Sequence, residues 1–165
     1  MAGLFCDVCI ASGSLCASCQ GRLDCGQVNK MDLSVSTFVF ENLKKFALEK
    51  VRIAKCFDNG RVAIVVTESD PGLLIGKEGR VVTALAKSLN RHVKVIGRHA
   101  EMHAALLELL KPVRFLGINE IFGLGGRMHK VRIAKKELAR LPMDRGTLSE
   151  VIGYVFNGNA RLSFE

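Results

Sequence analysis

Four of the six cysteines lie near the start of the chain in two C-x2-C pairs. Cys6 and Cys9 form the first pair, Cys16 and Cys19 form the second, and six residues separate the pairs. A two-residue gap lets both thiolates of a pair reach one ion at about 2.3 Å, and two such pairs complete a tetrahedron. We therefore predict that these four cysteines hold one structural Zn²⁺, with no coordination position left open for a reacting water.

Two other interpretations of the cysteines are a pair of disulfides and a redox dithiol. Both fit less well than a zinc site, because clustered C-x2-C pairs in a chain without an evident export signal are typical of metal binding. Cys25 could replace Cys16 or Cys19 as a ligand, but it has no C-x2-C partner, so we interpret it as a spare thiol. Cys56 lies in an apolar run and is predicted to be a small buried hydrophobe.

A second candidate site is the segment 75–80, whose sequence is Ile-Gly-Lys-Glu-Gly-Arg. Its two glycines remove side chains, so a sugar-phosphate backbone could lie against the main chain, next to the N–H groups of the following helix. Lys77 and Arg80 would add positive charge, and Ile75 would give a base an apolar floor. The carboxylate of Glu78 should weaken phosphate binding.

The charge of the chain favours an acidic partner. Among 165 residues, 24 Lys and Arg stand against 16 Asp and Glu, which leaves a net charge of +8. Residues 1–32 carry −1, residues 33–97 carry +5 and residues 98–165 carry +4. Phosphate is the commonest acidic partner of such a chain. A hydrophobic content of 48% excludes a disordered or low-complexity protein.

The elements that must position segment 75–80 are predicted from hydrophobic periodicity. Their order is helix, strand, strand, helix, glycine loop, helix, strand. The expected bounds are a helix within 36–50, strands at 51–57 and 61–67 around an Asn-Gly turn, a short helix at 73–75, a helix at 82–89 ended by Asn90, and a strand at 92–96.

The last third of the chain predicts the same order without the glycine loop. We expect a helix at 102–110 stopped by Pro112, strands at 113–122 and 128–135, a helix at 148–156 and a strand at 160–165. Residues 123–126 read Gly-Leu-Gly-Gly and also match G-x-x-G. They lie between two predicted strands, however, so we interpret them as a turn.

The first set of elements resembles the type II KH domain, and Ile75-Gly76-Lys77-Glu78-Gly79-Arg80 resembles its signature loop. The whole chain resembles the tandem KH units of the NusA transcription factors, and more closely the small archaeal NusA-like KH proteins that begin with a zinc knuckle. The C-x2-C-x6-C-x2-C opening, the glycine loop and the segment 115–119, Phe-Leu-Gly-Ile-Asn, carry this resemblance.

The resemblance implies an α+β fold in three parts. These are a zinc knuckle or ribbon over residues 1–32, a type II KH domain over 33–97, and a degenerate KH-like domain without GxxG over 98–165. It also implies a non-enzymatic RNA-binding function in translation or transcription. The residues expected to contact RNA are Ile75, Gly76, Lys77, Glu78, Gly79, Arg80, Lys87 and Arg91.

We expect segment 76–80 to hold about four single-stranded nucleotides, with Lys87, Arg91, Lys94 and Arg98 extending the basic surface. The RNA would be ribosomal or nascent, which leaves the ribosome and RNA polymerase as alternative partners. An alternative function is a protein-interaction adaptor that uses the zinc knuckle and the second KH-like unit, with RNA contact secondary.

Enzymatic, export and membrane functions are not expected. His99 and His103 have i, i+4 spacing on a predicted helix, but Glu101 does not complete H-E-x-x-H, so we interpret the histidines as surface residues. Motifs for nucleophilic catalysis, or for a small-molecule substrate, do not stand out. We also find no secretory signal pattern and no long apolar run, and therefore expect a cytoplasmic protein.

Overall fold

The computed structural model describes residues 3–165. Its backbone divides into two compact units, the first ending at Gly97 and the second running from Arg98 to Glu165. Helices and strands are mixed in both units, which confirms the α+β class. Among the described helices, none has the length and apolar character needed to cross a bilayer.

The cysteine-rich segment forms two short helices, α1 (Asp7–Ser12) and α2 (Ala17–Asp24). Each helix begins immediately after the first cysteine of a C-x2-C pair, because Cys6 and Cys16 occupy the N-cap positions with extended backbone. Gly13 ends α1 in the left-handed conformation, at φ 72°, which glycine adopts without strain. This segment is therefore a helical knuckle and not a ribbon, since residues 3–32 contain no strand.

The remainder of the first unit follows the predicted order. Its elements are α3 (Lys30–Glu41), α4 (Leu43–Phe46), β1 (Ile53–Asp58), β2 (Val62–Thr67), α5 (Pro71–Ile75), α6 (Arg80–Leu89) and β3 (His92–Gly97). Strand β2 lies in the centre of the sheet, antiparallel to β1 and parallel to β3. One apolar core joins α3, α5 and α6 to all three strands through buried side chains such as Val35, Val65 and Leu85.

Helix α3 begins six residues before the predicted apolar stripe because a capping box starts it there. The Asn29 side chain accepts from the Asp32 N–H, and the Asp32 carboxylate accepts from the Asn29 N–H, each at 2.8 Å. The same two side chains bond the main chain of Cys56: Asp32 Oδ1 accepts its N–H at 2.6 Å, and Asn29 Nδ2 donates to its carbonyl at 2.8 Å. The start of α3 is thereby fixed to β1.

The second unit repeats the topology of the first. Its elements are α7 (Met102–Leu110), β4 (Gly117–Gly123), β5 (Gly126–Ile133), a 3-10 segment (Lys135–Arg140), α8 (Arg145–Val155) and β6 (Ala160–Phe164). Strand β5 is central, antiparallel to β4 and parallel to β6. The helix pair that flanks the glycine loop in the first unit is replaced by the 3-10 segment and α8.

Several element bounds in the second unit, and the placement of His99, differ from the sequence-based expectations. The strand expected from residue 113 begins only at Gly117, because residues 111–116 form a turn and an irregular connection. Helix α7 begins at Met102, where the Glu101 carboxylate caps it by accepting the N–H groups of His103 and Ala104 at 2.9 Å. His99 therefore lies outside the helix, and the predicted i, i+4 histidine pair is wrong.

Candidate metal centre and nucleic-acid interface

The cysteine cluster, defined as Cys6, Cys9, Cys16 and Cys19, is brought together as predicted. Their four sulfur atoms all lie within 4.8 Å of one another. Four sulfurs at about 2.3 Å from one tetrahedral ion would be about 3.8 Å apart, so a metal ion fits with small adjustments. All six cysteines are free thiols, which contradicts a disulfide framework, and Cys25 is not among the four.

The cluster is half enclosed by the protein. Cys9 and Cys19, the second cysteine of each pair, are buried with Phe5, Ile10 and Val28, whereas Cys6 and Cys16 are exposed. Partly buried side chains of α3, Leu33 and Phe40, pack against this small core. The metal centre is thus attached to the helix that also builds the main core of the first unit.

Hydrogen bonds within the cluster shift the pKa values of Cys9 and Cys16 in opposite directions. The hydrogen bond with Cys6, at an Sγ–Sγ distance of 3.1 Å, raises the pKa of Cys9 to about 12. The N–H of Cys19 is the main cause that lowers the pKa of Cys16 to about 7. Metal binding requires thiolates, so the exposed Cys16 is the ligand most easily made ready for an ion.

The glycine loop, residues 76–79, joins α5 to α6. Gly76 adopts φ 75° and ψ 171°, a conformation that is open essentially to glycine alone. A β-carbon on Gly76 would overlap Val81 Cγ2 and lie 3.1 Å from Val81 N. The glycine is therefore required both by its backbone angles and by the close packing of the loop on α6.

The other end of the loop is open. Gly79 is left-handed at φ 73°, and a β-carbon there would meet only Val82 Cγ1 at 3.7 Å. Helix α6 begins at Arg80 without a side-chain cap in the described chain, although the N–H groups of Gly79 and Arg80 already donate to the carbonyls of Gly76 and Lys77. The room beside Gly79 and the positive end of the helix dipole suit a phosphate group.

The predicted loop side chains face solvent around this opening. Ile75, Lys77, Glu78 and Arg80 are all exposed, and Ile75 retains 37% of its exposure. Glu78 is held in the left-handed conformation, at φ 55°. Lys87 is also exposed and follows Arg80 by two turns of α6, about 10 Å along the same helix face.

The other predicted basic residues are partly buried or contact other side chains of the protein. Arg91 is half-buried and its Nε lies 3.2 Å from Asp58 Oδ1. Lys94 is half-buried on β3. Arg98, the first residue of the second unit, places its guanidinium 5.1 Å from the ring centroid of Tyr154. The structure thus groups Lys77, Arg80 and Lys87 on α6 and its loop, while Arg91 already has an acidic partner.

The second G-x-x-G segment, residues 123–126, is a hairpin turn as predicted. Gly123 pairs with Gly126 at the end of the β4–β5 ladder, and a β-carbon on Gly123 would meet nothing within 4 Å. Helices do not flank it. Its exposed neighbours are Phe122, with Arg127 stacked over the ring at 5.7 Å, and Leu124.

Sequence reasoning missed the residues that support both sites. Phe5 and Val28 bury the metal centre, and the Asn29–Asp32 pair fixes α3 to Cys56. The capping pattern of Asn followed three residues later by Asp could have revealed this pair. Burial raises the pKa of Asp32, although the N–H groups of Asn29 and Cys56 oppose that shift. Cys56 is buried, as predicted, and burial raises the pKa of its thiol.

Comparison with known proteins finds one domain family that matches part of this chain. Residues 34–112 match the KH domain family. The small ribosomal subunit protein uS3 of Lactobacillus acidophilus is 29% identical over 134 residues, covering 81% of this chain and 56% of that protein. The uS3 protein of a Chelativorans species is 32% identical over 87 residues, covering 53% of this chain and 34% of that protein.

A third similar protein is the uS3 of Shouchella clausii, which is 36% identical over 70 residues, 42% of this chain and 31% of that protein. The chain thus spans between about a third and somewhat over half the length of these curated relatives. Among solved structures, the crystal structure of APE1850 aligns with 80% of this chain and 95% of its own, at 16% identity and a TM-score of 0.47.

Proposed function

We propose that this chain is a non-enzymatic RNA-binding protein that holds the backbone of a short single-stranded segment on the glycine loop, residues 76–79, and the start of α6. The observation that carries the proposal is the geometry of that loop. Gly76 packs tightly against Val81, and the opposite side of the loop has room beside Gly79 and carries the exposed side chains of Lys77 and Arg80. This arrangement matches how a G-x-x-G loop clamps about four nucleotides.

The chemistry of the side chains agrees with backbone contact. The exposed cations at the loop and along α6, Lys77, Arg80 and Lys87, would neutralise successive phosphates. Ile75 offers an exposed apolar surface to one base. Arg91 would join the contact only after leaving Asp58, so we assign it a smaller role.

We further propose that the cysteine cluster holds one Zn²⁺ as a structural ion. Four thiolates are the donor set typical of structural zinc, and they fill all four positions of a tetrahedral ion. The ion would tie α1 and α2 together over a core of only a few apolar residues. Elemental analysis of the purified protein is expected to give one zinc per chain, and a preparation that folds without metal would contradict the assignment.

The proposed RNA is ribosomal, because the similar curated proteins are small ribosomal subunit proteins. Sedimentation of the native protein tests this proposal. We expect the protein to travel with ribosomal subunits in a sucrose gradient and to leave them after ribonuclease treatment. Co-sedimentation with RNA polymerase instead would make nascent transcripts the ligand.

The loop is tested with Lys77→Asp, compared with Lys44→Asp as a matched control. Both lysines are exposed in the first unit, and Lys44 lies on α4, outside the loop. We expect Lys77→Asp to weaken binding of single-stranded RNA by about tenfold or more, because it replaces a phosphate contact with repulsion. The control should change affinity severalfold less, and equal losses in the two variants would contradict the proposal.

A further inference from the structure

The second unit contains a cleft of about 440 Å³ between the connection that follows α7 and the 3-10 segment. We call it the basic cleft. Its functionally relevant lining residues are Arg114, Phe115, Leu116, Lys136, Glu137 and Arg140. The sequence offered no sign of this site, because residues 114–116 and 136–140 are separated by the whole β4–β5 hairpin.

Three cations and one carboxylate line the basic cleft. Glu137 is already paired with Arg140: the distance from Arg140 Nη1 to Glu137 Oε2 is 3.2 Å. The side chains of Arg114 and Lys136 are exposed and form no hydrogen bond or ion pair with any residue of the described range 3–165. An anion in the cleft could therefore bind two cations without displacing an existing partner.

Apolar side chains form the rest of the cleft. Phe115 is half-buried and its ring meets His103 edge-on, with 5.2 Å between the ring centroids. Leu116 stays 58% exposed, which is unusual for a large apolar residue beside so many charges. Cations next to an accessible aromatic ring suit a nucleotide, whose phosphate takes the charge and whose base stacks on the ring.

The position of the cleft in the fold supports the same ligand. Lys136 and Arg140 lie on the connection between the second and third strands of their sheet, β5 and β6. In the first unit, the corresponding connection between β2 and β3 carries the glycine loop. Each unit therefore presents positive charge on the same connection of an equivalent sheet, although only the first uses glycines.

We propose that the basic cleft binds a phosphate and the adjoining base of single-stranded RNA, as a second contact separate from the glycine loop. Arg114 and Lys136 hold the phosphate, and Phe115 supports the base. The inference rests on the proposed RNA-binding function but involves none of the same residues. It assigns a direct part in recognition to the unit that has no glycine loop between helices.

The test uses the full chain with Arg114→Glu and Lys136→Glu combined. The matched control combines Arg127→Glu with Arg161→Glu, which changes the net charge equally at exposed positions of the same unit outside the cleft. Affinity is measured for RNA of about 4 nucleotides, enough for one loop, and of about 16 nucleotides. The slope of log affinity against log salt is measured for the longer RNA.

We expect the cleft variant to bind the longer RNA about tenfold or more weakly than the parent, with its salt slope smaller by about 1.4. Its affinity for the short RNA should match that of the control variant. Equal losses in the cleft and control variants would overturn the inference. No loss in either variant would also overturn it, and would leave an acidic protein segment as the occupant of the cleft.

The RNA-binding measurements distinguish a failure of the loop proposal from a failure of the cleft proposal. If Lys77→Asp leaves RNA binding unchanged while the cleft variant loses affinity, the loop proposal fails and the cleft stands. If the loop variant loses affinity for both RNA lengths and the cleft variant loses none, the loop stands and the cleft fails.

Discussion

The two units build the same sheet but use the connection between its second and third strands differently. In the first unit this connection is α5, the glycine loop and α6, and it brings the main chain to the surface between two helices. In the second unit it is the 3-10 segment and α8, and it presents Lys136 and Arg140 as side chains. Both connections carry exposed cations, but only the first contains a glycine loop between two helices.

This difference shows that the G-x-x-G pattern acquires its meaning from the elements around it. At Gly76 the backbone angles and the contact with Val81 leave no room for a side chain. At Gly123 the same pattern closes a hairpin, and a β-carbon would touch nothing.

The largest effect is expected from the metal centre, which belongs to the first unit alone among the described residues. Cys19→Ser removes a buried ligand, so we expect loss of the bound zinc and a fall in the free energy of unfolding by more than about 3 kcal/mol. Elemental analysis and urea denaturation measure the two results. Cys25→Ser is the control, since that exposed thiol is outside the cluster, and it should leave both unchanged.

The next effect separates the two glycine segments. Gly76→Ala should lower the free energy of unfolding by about 3 kcal/mol or more, because it adds backbone strain and overlap with Val81. Gly123→Ala should change it by less than about 0.5 kcal/mol. Urea denaturation of both variants checks the prediction, and similar losses in the two would show that the segments are structurally equivalent.

Acid should affect the two units differently. Hydrogen bonds to N–H groups lower the folded-state pKa of Glu101 and Asp144, and Arg132 does the same for Glu165, all in the second unit. Their contribution to stability is present at neutral pH and is lost as pH falls through the lowered values, below about pH 4.

In the first unit, the contribution of Asp32 to stability has the opposite pH dependence. Burial raises its folded-state pKa, so its contribution is fully present at low pH and is lost as pH rises through the raised value. As long as the cysteine ligands stay deprotonated and keep their metal ion, we therefore expect acid to weaken the second unit first. Tyr154, the single tyrosine in a chain without tryptophan, reports on that unit by fluorescence, and amide NMR signals report on both. Loss of the first unit's signals at higher pH than the second's, with zinc still bound, would contradict this expectation.

The smallest effect concerns the one acidic residue in the glycine loop. Glu78→Gln removes an exposed carboxylate beside the proposed phosphate position while keeping the side-chain size. We expect RNA affinity to rise about twofold to fivefold, since a single exposed charge contributes little in water. Titration with single-stranded RNA measures the change, and Glu49→Gln, on an exposed residue before β1, serves as the control.

The elements that the sequence predicted best are those with a strong periodic pattern. The apolar stripes of α6 and α8 and the alternation of β6 follow directly from local residue order, and Asn90 does end α6. The starts of α3 and α8 were misplaced because polar caps, Asn29 and Asp144, begin these helices before their first apolar residues.

The candidate sites also differ in whether local residue order reveals them. The cysteine cluster and the glycine loop are contiguous in sequence, so their spacing reveals them. The basic cleft joins segments about twenty residues apart, and the bond from Asp32 to Cys56 spans a similar separation. Only tertiary packing brings such residues together, and a local pattern cannot encode it.

Contact between the RNA backbone and the glycine loop is tested by following main-chain amides during titration with single-stranded RNA of about 4 nucleotides. NMR of the zinc-loaded protein gives one amide signal per residue. We predict that the largest shifts fall on Gly76, Gly79 and the first residues of α6. Saturable RNA binding that leaves these amides unmoved would contradict the account.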